Sequence, residues 1–386
     1  MLGFWYSFFI ELCLFLFYSL RNLNVVMSRS VMSIGITCPI IREGDDIVSI
    51  VVDSVMKSGH QIDNKDVIGI TESVIARSLG KYVSVDDIAE ETKKLFGENA
   101  TIMLYKPIYS RNRFAMILKG IARGVKKLIM IMPYEDEVGN VIRNHPFTGK
   151  NYDDYYSEIC KAEGCEIVIL NDLRGGSTYD KNNFEWWSQN NKDIIDGYLD
   201  CTLHNNKFST LSLHSWYCFH PVYTLYDYFK DLSEFGLLGS NKSTEEKLKL
   251  FPNKSDATKI CEAVKKALGD KTGKDVIVCC YGDGCFKDAE TGIWEFADPV
   301  TMPGYTDKTL IESTPNEVKL KALIDDTVDN TGVILKLAEE KENLKGDMKS
   351  MGTTPRKFRD LLASLMDLTS GSGDRETPVV LVKNYF

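Results

Sequence analysis

Residues 101–132, TIMLYKPIYSRNRFAMILKGIARGVKKLIMIM, decide the class of fold. An apolar, β-rich run at 101–105 gives way to a helical stretch, and a second apolar run follows at 126–132. Two such runs separated by a helix-length pattern read as a strand–helix–strand unit. The helical stretch carries Arg111, Arg113, Lys119 and Arg123. Those cations either meet a phosphate or carboxylate or line an ordinary solvated face.

The same alternation extends in both directions. DVIGIT (66–71), EIVIL (166–170), DVIVCCY (275–281) and the terminal PVVLVKNYF read as further strands. Asp45–Lys57 places Ile47, Val48, Val51, Val52 and Val55 on one helical face, with Gly59 as a stop. Ser84 caps a helix through Phe96, with Asp86 and Asp87 in its first turn. Ser255 is expected to cap another through Leu268, ended by Gly269. Residues 329–350 suggest a polar surface helix. Thr354 and Pro355 open a last helix with the face Phe358, Leu361, Leu362, Leu365 and Met366. The expected architecture is α/β of the mixed α+β kind, with mixed sheets and flanking helices.

Residues 172–235 break the pattern, being rich in Asn, Asp and aromatic side chains, and read as an insertion or loop-rich subdomain. Residues 1–32 form an apolar extension ahead of a domain at 33–386. Within it LGFWYSFFIELCLFLFYSL (2–20) is long enough to cross a bilayer, with Glu11 its one charge. Arg21 and Arg29 would then leave the remainder in the cytoplasm. The other reading is an early-called start, with Met27 or Met32 beginning the chain.

The chain has 386 residues and a formal net charge of −9, from 46 Lys plus Arg against 55 Asp plus Glu. That acidity, with no basic tail or stripe, argues against non-specific nucleic-acid binding. Ten cysteines are too sparse for a disulfide scaffold and fit reduced thiols. They show no zinc spacing, and no GxSxG elbow marks a serine hydrolase.

Three glycine-bearing stretches attract attention. Gly236-Leu237-Leu238-Gly239-Ser240-Asn241-Lys242-Ser243 approaches a phosphate loop, but Asn241 stands where that loop needs glycine. Ser243-Thr244-Glu245-Glu246 resembles a capping box opening a helix, so this stretch is either an anion site beside Lys242 or a capped surface turn. Tyr281-Gly282-Asp283-Gly284 ends an apolar strand, and Asp288, Glu295, Asp298 and Asp307 follow. Such carboxylates suit Mg²⁺ or Mn²⁺, or else form an acidic surface turn. Gly371-Ser372-Gly373-Asp374 is a flexible turn whose N–H groups could form an anion nest.

Together these stretches resemble the coenzyme F-420:L-glutamate ligase (gamma-glutamyl ligase) family, in a longer bacterial branch. The resemblance rests on GITCPIIREGDDIVSIVVDSV, DVIGITESVIARSLGKYVSVDDIA, GLLGSNKSTEEKLKLFP, VIVCCYGDGCFKDAETGIWEFADPV, STPNEVKLK and MGTTPRKF…LTSGSGD…TPVVLV. It implies a ligase that uses GTP and Mg²⁺ or Mn²⁺, with K⁺ as a further ion, to join L-glutamate to a small acidic acceptor through an acyl phosphate. The acceptor would be a coenzyme F-420-type precursor or a folate, the assembly a homodimer, and the location cytoplasmic unless residues 2–20 are an anchor. A nucleotide-binding regulatory protein without ligase activity is the rival expectation.

Residue by residue, the resemblance places nucleotide at Cys38, Pro39, Ile40 and Ile41, at Glu72, Ser73 and Arg77, at Asn241, and at Gly371, Ser372, Gly373 and Asp374; Lys242 joins them as the lysine beside the anion-site turn. It places metal at Asp283; Asp288 or Glu295, which follow in the sequence, would help, and the basic Arg111 or Arg113 would receive the glutamate carboxylates. Three positions depart from the family pattern. Leu238 replaces a metal aspartate, Gly282-Asp283-Gly284 replaces an Asp-Thr pair, and Glu376 stands where glycine is usual.

Overall fold

Two sheets organise the described chain, and they draw on different parts of the sequence. The computed structural model describes residues 30–105, 111–133, 144–145, 148–172, 201–204, 222–282, 285–287, 294–296, 302–314, 356–370 and 376–386. In chain order the elements are β1 (Met32–Ile36), α1 (Ile47–Lys57), β2 (Val67–Thr71), α2 (Glu72–Ser78), β3 (Tyr82–Ser84), α3 (Val85–Phe96) and β4 (Thr101–Tyr105). Then come α4 (Arg111–Gly124), β5 (Lys127–Pro133), α5 (Tyr152–Ala162), β6 (Glu166–Asp172), β7 (Cys201–His204) and β8 (Val222–Thr224). The last are β9 (Ser240–Lys242), β10 (Lys247–Leu250), α6 (Lys254–Thr272), β11 (Ile277–Tyr281), β12 (Cys285–Lys287), β13 (Trp294–Phe296), α7 (Phe358–Ser370) and β14 (Val379–Lys383).

The first sheet is mixed, in the order β1-β14-β2-β11. Strand β14 runs antiparallel to β1 and β2, and β11 runs parallel to β2. Its strands read as unbroken apolar runs because both faces are covered. Val379 and Leu381 enter one core with α1 and α6, while Val380 and Val382 enter a second beneath α7. The second sheet is parallel throughout, in the order β6-β5-β4-β7-β8. The chain therefore works outward from β4 first on one side and then on the other, as doubly wound sheets do. Its core includes Ile102, Leu104, Leu128 and Met130 with α3 and α4. A small antiparallel sheet, β3-β10-β9, adds Leu248 and Leu250 to that same core.

The expected strands and most helices are present, which makes the fold mixed α/β. Ser84 caps α3 in a reciprocal box with Asp87. Two local expectations are corrected. Ser255 does not open its helix: Asn253 is the N-cap, and α6 runs through Gly269 to stop at Gly273, which takes φ 69°. The line Ala257, Cys261, Val264 and Leu268 is buried, so packing carries the helix past the first glycine. Ser243–Glu246 opens no helix either. It is the turn between β9 and β10, with the Ser243 and Thr244 N–H groups both donating to the Lys247 carbonyl. Burial of Leu248 and Leu250 favours the strand over a local cap.

Of the 172–235 stretch, β7 and β8 join the parallel sheet. The expected helix at 329–350 and the apolar segment at 2–20 lie outside the described residues. Among the described residues, no helix is long and apolar enough to cross a membrane.

Candidate functional site

The mixed sheet gathers four widely separated segments at one of its ends. Ile36 closes β1 opposite Val379, which begins β14 and also faces Ile70 near the end of β2. Tyr281 closes β11 opposite Thr71. Hence the segment after β1 (Pro39, Ile40, Ile41), the start of α2 (Glu72, Ser73), Gly282 and the segment before β14 all meet at this end. The Cys38 N–H donates to the Glu376 carbonyl at 3.0 Å, which ties the first of these segments to the last. Glu376 has φ 56°, a conformation glycine adopts without strain. The usual glycine of this position thus has a backbone reason.

A polar cluster sits where α2 begins. On the β9–β10 hairpin Asn241 lies directly opposite Lys249, so both side chains leave one face. Asn241 Nδ2 donates to Glu72 Oε1 at 2.9 Å, and Arg113 Nη2, from α4, donates to Asn241 Oδ1 at 2.6 Å. Lys249 Nζ donates to Ser73 Oγ. Glu72, Arg113 and Lys249 are 3%, 6% and 6% exposed. A Cβ at Gly282 would overlap the Glu72 side chain, so the glycine allows the end of β11 to press against it.

Among the described residues, cations outnumber carboxylates in the cluster. Glu72 is one carboxylate, set among Arg113, Lys249 and Arg77. Burial pushes the Lys249 ammonium below the usual lysine value; the charge of Glu72 acts against that shift, and the charge of Arg77 adds to it. Such a group suits an oxyanion. A hard divalent cation takes several oxygen ligands, and Glu72 can supply one side chain toward that number. Among the described residues, no group of three or more His, Cys, Asp or Glu is placed to hold a metal.

The remaining expected site residues scatter. Ile40 is 73% exposed, whereas Ile41 is core. Lys242 follows Asn241 in β9 and so points to the opposite face, where it pairs with Glu245 at 2.9 Å. Arg111 begins α4 and Glu295 lies in β13 opposite Phe286, and the side chains of both are outside the described set. Asp283, Asp288, Gly371, Ser372, Gly373 and Asp374 lie outside the described residues altogether. Asp307 sits at the far end of the mixed sheet, where it caps the 3-10 turn Lys308–Ile311 and pairs with Lys65 at 3.3 Å. Leu238 is 1% exposed within the apolar core and ligates nothing. Cys261, Cys279 and Cys280 are also core, and burial pushes the Cys279 thiol up to about 12.

No sequence motif marks Lys249 as a member of the cluster. Lys249 belongs to KLKL, a pattern that reads as plain alternation between solvent and core. The signal available was its position opposite Asn241, which appears only once 243–246 is seen as a hairpin turn.

No curated protein matches the chain. Among solved structures, it is similar to part of the tetrameric eIF2B-beta2-delta2 complex from C. thermophilum, with 10% identity and a TM-score of 0.23, over 36% of this chain and 42% of that one. It is similar to eIF2B beta from Chaetomium thermophilum with 11% identity and a TM-score of 0.22, over 40% of this chain and 43% of that one. The match therefore spans less than half the length of each, too distant a likeness to carry an argument. The family described as F420-0:Gamma-glutamyl ligase, by contrast, matches residues 35–384, nearly the whole sequence and every strand end that builds the cluster. The chain belongs to the F420-0:gamma-glutamyl ligase family.

Proposed function

We propose that this protein uses GTP to activate the carboxylate of a coenzyme F-420-type precursor and then joins L-glutamate to it. Membership in the family supports an amide-forming ligase that adds glutamate; the nucleotide, the activation step and the acceptor are the proposal. A free carboxylate is a poor acyl donor. Transfer of the γ-phosphoryl group to a carboxylate oxygen would release GDP and leave an acyl phosphate. The glutamate amine would attack its carbon, expel phosphate and lose a proton to give the amide.

The observation that supports this reading is the buried Arg113–Asn241–Glu72 chain beside Lys249 and Ser73. Fixed cationic donors stabilise the negative charge that spreads over a transferring phosphoryl group. In this reading Ser73, Arg77, Asn241 and residues 371–374 hold nucleotide, and Arg113 neutralises an oxyanion while Glu72 keeps Asn241 in place. A divalent cation, Mg²⁺ or Mn²⁺, would be held by Asp283 with Asp288 or Glu295, and when bound would neutralise phosphate charge.

The test is glutamate-dependent GTP hydrolysis with Mn²⁺, read together with the mass of the product. Expected is a gain of one or more glutamyl units on the deazaflavin precursor, stoichiometric with GDP. GTP turnover that ignores glutamate, with no mass gain on any acceptor, would refute it. One observation favours a second reading, a nucleotide-binding regulator: the metal aspartate of the family pattern is here Leu238, buried in core. Tight GTP binding with no turnover would select that reading.

A further inference from the structure

We infer that Lys249 is an oxyanion-binding residue of this site, its ammonium and the Ser73 hydroxyl together receiving a phosphoryl or carboxylate oxygen of the ligand. The inference rests on the cluster being the ligand site proposed above, and adds to it a residue that neither the motifs nor the family resemblance marks.

Three observations carry it. Lys249 is 6% exposed, and its hydrogen bond among the described residues goes to a neutral hydroxyl. None of the ion pairs among the described residues joins it to a carboxylate; Glu72 acts on it through charge alone, and a second cation, Arg77, opposes it. A buried ammonium without a paired counter-ion is costly to the fold. Placement is the third: Lys249 lies opposite Asn241 on β10 and reaches the first turn of α2 through Ser73, within the cluster. A lysine serving only the fold gains there one hydrogen bond to a neutral hydroxyl and the distant pull of Glu72, set against the cost of burying its charge. A lysine awaiting an anion gains its counter-ion when the ligand arrives.

Burial holds the ammonium below its ordinary value in the free protein. An arriving anion favours the charged form and raises it. Binding then takes up a fraction of a proton at pH values between the free and bound states.

The experiment uses the full chain and its Lys249→Met variant. Calorimetric titrations with GTP plus Mn²⁺, with inorganic pyrophosphate and with L-glutamate are run in two buffers of different ionisation heat, alongside thermal melts. Expected is a Kd about 10- to 100-fold weaker in Lys249→Met, the scale of a lost hydrogen bond to a charged group. Proton uptake should be larger in the wild type than in the variant, whose melting temperature is unchanged or higher. A loss confined to GTP and pyrophosphate identifies a phosphoryl oxygen, and one confined to glutamate a carboxylate. If the wild type binds pyrophosphate or glutamate but not GTP, the nucleotide reading fails and Lys249 is still tested by the ligand that binds. Equal affinities in both proteins, binding of none of the three, or a fall in melting temperature that accompanies the lost binding would overturn the inference.

Discussion

The mixed sheet and the parallel sheet are built by opposite strategies. The parallel sheet uses one stretch of chain, from β4 to β8, and apart from the β4–β7 pair its neighbouring strands are consecutive in sequence. The mixed sheet joins β1 to β14, pairing Met32 with Lys383, and inserts β2 and β11 from between them. Its two ends then do different jobs. One end collects the segments of the candidate site. The other end closes the sheet with an ion network around the buried Lys383 and Asp66: Lys383 Nζ lies 2.8 Å from Asp66, 2.9 Å from Asp63 and 2.6 Å from the Gln61 carbonyl. The site needs both sheets, because Arg113 comes from the helix between β4 and β5, while Glu72 comes from the end of β2. A site assembled across two differently built halves is sensitive to the dispersed half as a whole and to the local half through one side chain.

The sharpest way to break this contrast is at the closed end of the mixed sheet. Lys383→Met removes the partner of Asp66, which is 2% exposed. Leaving that carboxylate buried and unpaired should lower stability by about 3–5 kcal/mol, measured by urea unfolding. Burial alone would push the Lys383 ammonium down, but its hydrogen bonds to Asp66 and Asp63 outweigh burial and hold it above the usual lysine value. Its contribution is therefore present in full below the unfolded lysine value and is lost as pH rises through the raised one. Asp63 is shifted the other way, held low chiefly by its bond from Lys383. That contribution is present above the unfolded aspartate value and fades as pH falls below it. Wild-type stability should thus decline at both extremes, and the alkaline decline should be weaker in Lys383→Met. An unchanged alkaline limb would show that the network does not close the sheet.

The bridge between halves is tested next. Arg113→Ala should lower kcat/KM for glutamate addition about 100-fold, near 2–3 kcal/mol for charge-assisted hydrogen bonding. A variant with full activity would separate α4 from the site and confine the chemistry to the mixed sheet. This bridge also marks the limit of what the amino-acid order discloses. The strands announce themselves as apolar runs, and Glu72, Ser73, Asn241 and Arg113 can be singled out from motifs and resemblance. What a linear reading misses is which face a residue leaves. Asn241 and Lys242 look equivalent as neighbours in a loop, yet strand alternation sends one to the cluster and the other to Glu245. Lys249 is hidden for the same reason, since its role depends on a hairpin that the capping pattern of Ser243–Glu246 disguises. Local signals compete there with burial of Leu248 and Leu250, and only the tertiary core decides between them.

The local half has its own weak point in the contact of α3 with α4. A Cβ at Gly120 would come within 2.5 Å of the Ile88 Cβ and 3.1 Å of the Val85 carbonyl. Gly120→Ala should therefore destabilise by about 1–3 kcal/mol through overpacking, despite its better helix propensity. The smallest effect expected is at the start of α3. Ser84 accepts from the Asp87 N–H at 3.0 Å while the Asp87 carboxylate accepts from the Ser84 N–H at 2.6 Å. Ser84→Ala removes one half of this exchange and should cost about 1 kcal/mol. Because α3 packs on α4, which carries Arg113, the two variants separate stability from function within one half. Gly120→Ala, by displacing α4, should lower activity along with stability. Ser84→Ala, which frays only the first turn of α3, should leave the melting temperature slightly lower and kcat/KM unchanged. Equal losses of activity in both would mean that α3 and α4 move as one body and that the local half, too, acts on the site as a whole.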